Sequence, residues 1–518
     1  MDSAEKVDNS QEAKAAQTTS FADRVGLVVG GQFVSAIIGM IQGILLVRLL
    51  DKRAYGTISL VLFWLATGRD LGMLYLPESV YYFAPKTSQG ELLGLVRQSK
   101  WLLVTLGTIV ALVFIVMGLA PDLFLKGRTD LGGLLVIAGI ASIVGFPAGI
   151  YGAVFIATNN HRRAAGISLF LTMFGAVGNL VPAALGWPVW VLLWSVVLSA
   201  VVRVVLSERL MKQMFAGVEP QPFPGGVRAQ LRYVLPLTLT RFAGLFNQRL
   251  DRFIVGMFFG VESFAEFTIG SQELPLVNIL PYTIASTMMP RLVELYEQGT
   301  TRLQGAREAI AVWHAGMRKA TIVMVPVAVF LLLMAEPFLV VLYGERYRAA
   351  ALPFRIYSAL MLVRLTGYGT MLMVFGQTNV LMRVQLSGMV LNIVGSYFLL
   401  PRIGMIAAPI SAVITQLSMI IMILVRVNDH ARMGLRDIFP WSHWFRALLA
   451  AGTAAIVVMG VLRILQQSSL VVQLVISLLT FIPTYVMLAN IFDVLTADDR
   501  AFLRRWVTLE PLRSKSKS

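Results

Sequence analysis

The chain contains no cysteine. That excludes a disulfide framework, a thiolate metal site and a cysteine nucleophile. Histidine is almost as scarce, and His161, His314, His430 and His443 lie far apart without metal-ligand spacing, so no metal site is expected. Charge is thin as well. Only 14% of the residues are charged and 57% are hydrophobic, against about 25% charged in a soluble domain, and the mean hydropathy is +0.73. So little polar surface excludes a water-soluble enzyme of two or three domains. The sequence has no G-x-x-x-x-G-K-S/T, so P-loop hydrolysis of ATP by this chain is not expected, and it has no G-x-S-x-G. No cofactor is expected, and the protein reads as a non-enzyme.

Long apolar runs are what the sequence has in abundance. A membrane-crossing helix needs about 20 mostly apolar residues. Fourteen such runs are read near 25–47, 54–76, 98–120, 131–157, 165–185, 187–206, 233–259, 263–290, 320–343, 353–376, 380–400, 403–425, 446–465 and 470–491. They are continuous rather than alternating, which excludes a transmembrane β-barrel. The expected fold is therefore all-α, a polytopic membrane protein with 14 transmembrane helices. Residues 1–24 are polar and of mixed sign, unlike a signal or transit peptide, and are expected to form a disordered cytoplasmic tail. The net charge of +16 points to cytoplasmic loops rather than to nucleic acid. With both termini inside, this threading puts roughly three basic residues inside for each one outside, as the positive-inside rule requires. Five arginines remain at membrane depth: Arg69, Arg241, Arg249, Arg252 and Arg364.

The segment 211–230, with Pro220, Pro222, Pro224, Gly225 and Gly226, is expected to be a cytoplasmic linker. It divides an N-lobe at 25–210 (spans one to six) from a C-lobe at 231–427 (spans seven to twelve). Residues 428–492 hold two further spans, and 493–518 form a cytoplasmic tail in which 496–507 has the pattern of an amphipathic helix. The two sixes share features. Asp51–Ser59 and Val261–Thr268 each link the first two helices of a lobe, and Asn160 and Asn379 each precede a fifth. Six is an even number, so both copies enter the membrane in the same direction, a parallel pseudo-repeat of the kind transporters use. In span one, Gly31, Ser35, Gly39 and Gly43 form a row expected to pack against a neighbouring helix.

Several stretches resemble the polysaccharide and oligosaccharide flippases of the multidrug/oligosaccharidyl-lipid/polysaccharide superfamily. They are Leu245–Gly256, Pro290-Arg291, Phe375–Asn379 with Asn392, Pro401–Ala408, and Asp70-Leu-Gly72. The resemblance covers nearly the whole membrane region. It implies two six-helix lobes, a central cavity, alternating access and a lipid-linked sugar as cargo. It also implies a bacterial inner-membrane location, with membrane lipids and polysaccharide assembly proteins as partners.

An arginine at membrane depth costs at least about 2.5–3.5 kcal/mol and so needs a function or a counter-ion. On span seven, Arg241, Gln248, Arg252 and Arg249 fall at about 0°, 340°, 20° and 80° around the helix, a stripe roughly 16 Å long. A guanidinium binds phosphate oxygens through two parallel hydrogen bonds, which suits the diphosphate of a polyprenyl-linked sugar. The expected cavity residues are Arg241, Arg249, Arg252, Arg364, Arg69, Asn247, Gln248 and Gln272. Asp70, Asp251 and Glu273 are expected as coupling or counter-ion carboxylates. The competing readings are a cation-coupled drug antiporter, whose site should favour acids, and a membrane polysaccharide polymerase, for which the outer loops are too short.

Overall fold

The computed structural model describes residue 31 and residues 33–496, apart from 125–127, 159, 273–274 and 435. The 1–24 tail, Glu273 and nearly all of the 496–507 segment lie outside the described residues. No strand occurs among the described residues. The helices are α1 (Phe33–Leu49), α2 (Lys52–Gly72), α3 (Leu76–Phe83), α4 (Gln89–Leu119), α5 (Pro121–Phe124), α6 (Gly132–Ala148), α7 (Ile150–Ala157), α8 (His161–Ala184), α9 (Val189–Met214) and α10 (Gly226–Phe258). They continue as α11 (Val261–Gly270), α12 (Pro275–Gln298), α13 (Arg302–Tyr343), α14 (Ala351–Leu360), α15 (Gly369–Val374), α16 (Thr378–Ile403), α17 (Ala407–Ala431), α18 (Trp441–Ile464) and α19 (Leu470–Ile491).

Eight helical segments among the described residues are long and apolar enough to cross a membrane, and one of these, Thr378–Ala431, contains both α16 and α17. The bent pair α2 and α3 makes a ninth. The protein is thus a multi-pass membrane protein. The fourteen spans read from the sequence are not reached by length and hydropathy alone. Helix α10 carries Arg241, Arg249, Asp251 and Arg252. Span ten is also not one helix: α14 ends at Leu360, and the chain is irregular until α15 starts at Gly369.

The chain forms two compact units, Met1–Phe246 with Gly256–Ala265, and Asn247–Val255 with Glu266–Ser518. In the first, α4 and α6 pack backbone against backbone. A Cβ on Gly118 would sit 2.6 Å from the Gly132 carbonyl oxygen, and one on Gly107 would sit 2.9 Å from that of Ser142. Only glycine permits this approach. The row in span one does not pack so closely, since a Cβ on Gly39 or Gly43 would meet nothing within 4 Å. The 219–223 stretch docks on the start of α4, where Gln221 N–H donates to the Gly90 carbonyl (2.9 Å) and Phe223 packs edge-on to Phe83. Gln230 is fully buried and donates to Ser79 and Ser99, at 2.8 and 2.7 Å.

In the second unit α13 is the spine. Its kink at Met334 (φ −99°, ψ 15°) lies just before Pro337, which has no N–H for the preceding turn. Helices α18 and α19 pack on α13 and on each other. Phe481 meets Phe330 at 5.3 Å, and Tyr485 Oη–H donates to the Ile322 carbonyl at 2.9 Å.

Candidate functional site

Charged groups of the apolar helices gather at a break in the first unit. Leu74 and Tyr75 both adopt left-handed backbone (φ 49° and 55°), and Pro77 starts α3 immediately afterwards. The break turns α3 by 40° from α2. Arg69 Nε donates to Asp70 Oδ1 at 3.3 Å, so these two neighbours pair within α2. Arg69 also lines a cavity of about 160 Å³ together with Arg203 of α9. Arg203 is not among the five arginines that the sequence places at membrane depth. Helix α9 packs on α2 and so brings Arg203 beside Arg69. Arg241 lies over the Tyr75 ring, 5.8 Å from its centroid, within cation–π range. Glu78 lies in the first turn of α3, just past this break.

The second unit holds a larger cavity, about 640 Å³. Gln248, Gln272, Arg364, Gln385 and Gln416 line it. Arg364 is the only charged residue among its described lining residues. It stands in the irregular stretch between α14 and α15, where Thr366, Gly367 and Gly369 disfavour a continuous helix. Backbone freed at membrane depth must find partners, and here side chains supply them. Trp444 Nε1–H donates to the Leu362 carbonyl at 2.7 Å, and Tyr368 Oη–H to that of Val363 at 2.5 Å. A broken helix held in this way presents a guanidinium to a cavity with two of its freed carbonyls paired.

The other expected site residues are placed around this cavity in different roles. Asp251 is buried and accepts a hydrogen bond from Tyr357 Oη. Arg252 reaches the Ser271 carbonyl at 3.4 Å, and Asn247 Nδ2 the Met419 sulfur at 3.1 Å. Gln272 accepts from Tyr343 Oη at 2.9 Å. Arg249 is half-buried on α10. The described residues of the predicted set therefore fall into two groups: Arg69, Asp70 and Arg241 in the first unit, and Asn247, Gln248, Arg249, Asp251, Arg252, Gln272 and Arg364 in the second. The sequence reading missed Gln385 and Gln416. Their signal was present, since an amide inside an apolar span is a polar group that must find a partner or a cavity. It also missed Tyr75 and Glu78, for which the Leu76-Pro77 step was the available sign of a break.

A family model described as "Polysaccharide biosynthesis protein" matches residues 45–352. The chain belongs to this family. No curated protein matches it. Among solved structures it is similar to the lipid II flippase MurJ in an inward closed conformation, with a TM-score of 0.66 and 14% identity over 90% of this chain and 98% of that one. It is also similar to an inward-facing multidrug resistance MATE transporter of the MOP superfamily (TM-score 0.55, 16% identity, 77% and 96% covered). A third similar structure is a MOP superfamily transporter from Pyrococcus furiosus (0.50, 14%, 79% and 95%). At these identities the likeness establishes the fold, that of the MOP transporters.

Proposed function

We propose that this protein is a flippase that moves a polyprenyl-diphosphate-linked oligosaccharide or polysaccharide precursor across the bacterial inner membrane for cell-surface polysaccharide synthesis. The observation that carries the reading is Arg364, the sole charged group among the described lining residues of the 640 Å³ cavity, accompanied there by amides. A guanidinium flanked by amides fits a diphosphate and its sugar hydroxyls. A drug or cation antiporter would be served by a free carboxylate, whereas Asp251 beside this cavity is hydrogen-bonded to Tyr357. The family membership and the likeness to a lipid II flippase and to MATE transporters support a transporter. On this reading Arg69, Arg241, Arg249 and Arg252 assist the cargo's phosphates, and both termini are cytoplasmic. Polysaccharide assembly proteins are the downstream partners.

The test is flipping of a fluorescent polyprenyl-diphosphate oligosaccharide by the purified protein in liposomes. Arg364→Ala should slow flipping by about tenfold or more, and Arg364→Lys should recover only part of it, since an ammonium lacks the planar two-pronged donor. Unchanged flipping in Arg364→Ala, or a drug-dependent proton flux in its place, would overturn the reading.

A further inference from the structure

A second large cavity lies away from the first, at the N-terminal end of α18, with a volume of about 940 Å³. Arg318 of α13, Arg436 of the α17–α18 connection and Arg446 of α18 converge on it. Each is exposed, and none makes an ion pair or a hydrogen bond among the described residues. Asp437 and Asp493 also line the cavity, so the three guanidiniums outnumber two carboxylates. The connection is held in place. His314 Nε2–H donates to the Ile438 carbonyl at 2.6 Å, and Arg307 donates to the Ala431 and Arg432 carbonyls at 3.2 and 3.0 Å. The cavity is therefore built before any ligand arrives, which limits the ordering cost of binding.

What lies beside it identifies the ligand. Trp441 and Phe445 border the cavity and are 44% and 54% exposed. Along α18 the exposed apolar side continues through Leu449 and Ile456, at 59% and 63%. These four residues fall within an arc of about 80° on the helix. A helix that crosses a membrane turns such a stripe to lipid, and aromatic residues at its end sit at headgroup level. A cationic cavity continuous with a lipid-facing stripe matches one molecule: an anionic phosphate attached to acyl chains. A soluble phosphate would use the arginines alone, whereas a phospholipid uses both the arginines and the stripe beside them.

We infer that the Arg318–Arg436–Arg446 cavity binds the headgroup of an anionic bilayer phospholipid, whose acyl chains lie along the Trp441–Ile456 face of α18. On the topology proposed above this is the cytoplasmic leaflet. The binding itself rests on the cavity alone.

The test uses the full-length protein in detergent, titrated with phosphatidylglycerol and with phosphatidylcholine and read by native mass spectrometry. Bound phosphatidylglycerol should be retained, and Arg436→Gln with Arg446→Gln should weaken it by about tenfold, leaving phosphatidylcholine unaffected. A measurement on the unaltered protein makes the result independent of variant folding. Phenylglyoxal modification of Arg436 and Arg446, mapped by peptide mass spectrometry, should slow with phosphatidylglycerol and not with phosphatidylcholine. Equal protection by inorganic phosphate would make this a soluble-anion site and overturn the lipid assignment. Protection by a polyprenyl phosphate but not by phosphatidylglycerol would give the cavity to the cargo, and protection by none of these would remove the site. Neither result depends on flipping, so failure here leaves the flippase reading untouched, and failure of flipping leaves this site testable.

Discussion

Asp251 carries the sharpest question at the scale of single residues. It is buried and was one of three carboxylates expected to couple transport or to neutralise an arginine. Its hydrogen bond from Tyr357 gives it a structural partner in the second unit. Asp251→Asn keeps an acceptor oxygen facing the phenol, so flipping should stay within about twofold. Tyr357→Phe removes the donor and should lower stability by about 1–3 kcal/mol, the usual cost of an under-satisfied buried polar group, read as a lower unfolding midpoint. Loss of flipping in Asp251→Asn with unchanged stability would instead assign this carboxylate to coupling. Arg69 and Asp70 illustrate a different point. Neighbours in sequence are paired in the structure, and the charges an adjacent pair can reach are visible without a fold. Arg203 was not visible in this way, because its place beside Arg69 is set by how α9 packs on α2.

At the scale of elements, glycine decides which helices touch. The row Gly31, Ser35, Gly39 and Gly43 has the spacing of a packing face, yet the close approach occurs between α4 and α6. A small-residue row states that a helix can be approached, and the tertiary arrangement states whether it is. The two cases separate by substitution. Gly39→Ala should leave the unfolding midpoint unchanged or slightly raised, because the new methyl meets nothing and alanine favours helix. Gly118→Ala places a methyl against the Gly132 carbonyl and should cost about 1–3 kcal/mol through overpacking. The 211–230 segment gives a parallel case. Its prolines and glycines marked it as a linker, but a Cβ on Gly94 would lie 1.9 Å from the Gln221 carbonyl oxygen. Gly94→Ala should therefore release the 219–223 stretch from α4. The expected readout is faster proteolysis between 215 and 225, and an unchanged cleavage rate would show that the docking contributes little.

At the scale of the whole molecule, the topology rests on charge rather than on geometry. Reporter fusions after residues 126, 228 and 518 should read outside, inside and inside, as the excess of arginine and lysine in the assigned cytoplasmic segments requires. An outside reading at 228 would break the six-plus-six threading and the parallel repeat with it.

Composition and pattern by themselves determined that this is an all-helical, multi-pass membrane protein without cysteine chemistry. Burying so many apolar residues leaves a lipid bilayer as the only compatible solvent. The motifs around Leu245–Gly256 and Phe375–Asn379 carried the family. Much of the candidate site was also legible, because an arginine or an amide in an apolar run is conspicuous: Arg364, Gln248 and Gln272 all line one cavity. Hydropathy could not show where helices break. A window of apolar residues averages over the left-handed turn at Leu74 and Tyr75 and over the irregular chain between Leu360 and Gly369. Those breaks depend on distant partners. Trp444 satisfies the Leu362 carbonyl, and Tyr368, beyond the freed turn, satisfies that of Val363. Only the folded chain brings Trp444 to Leu362, and with it the stability of an unwound segment that holds Arg364 at the cavity.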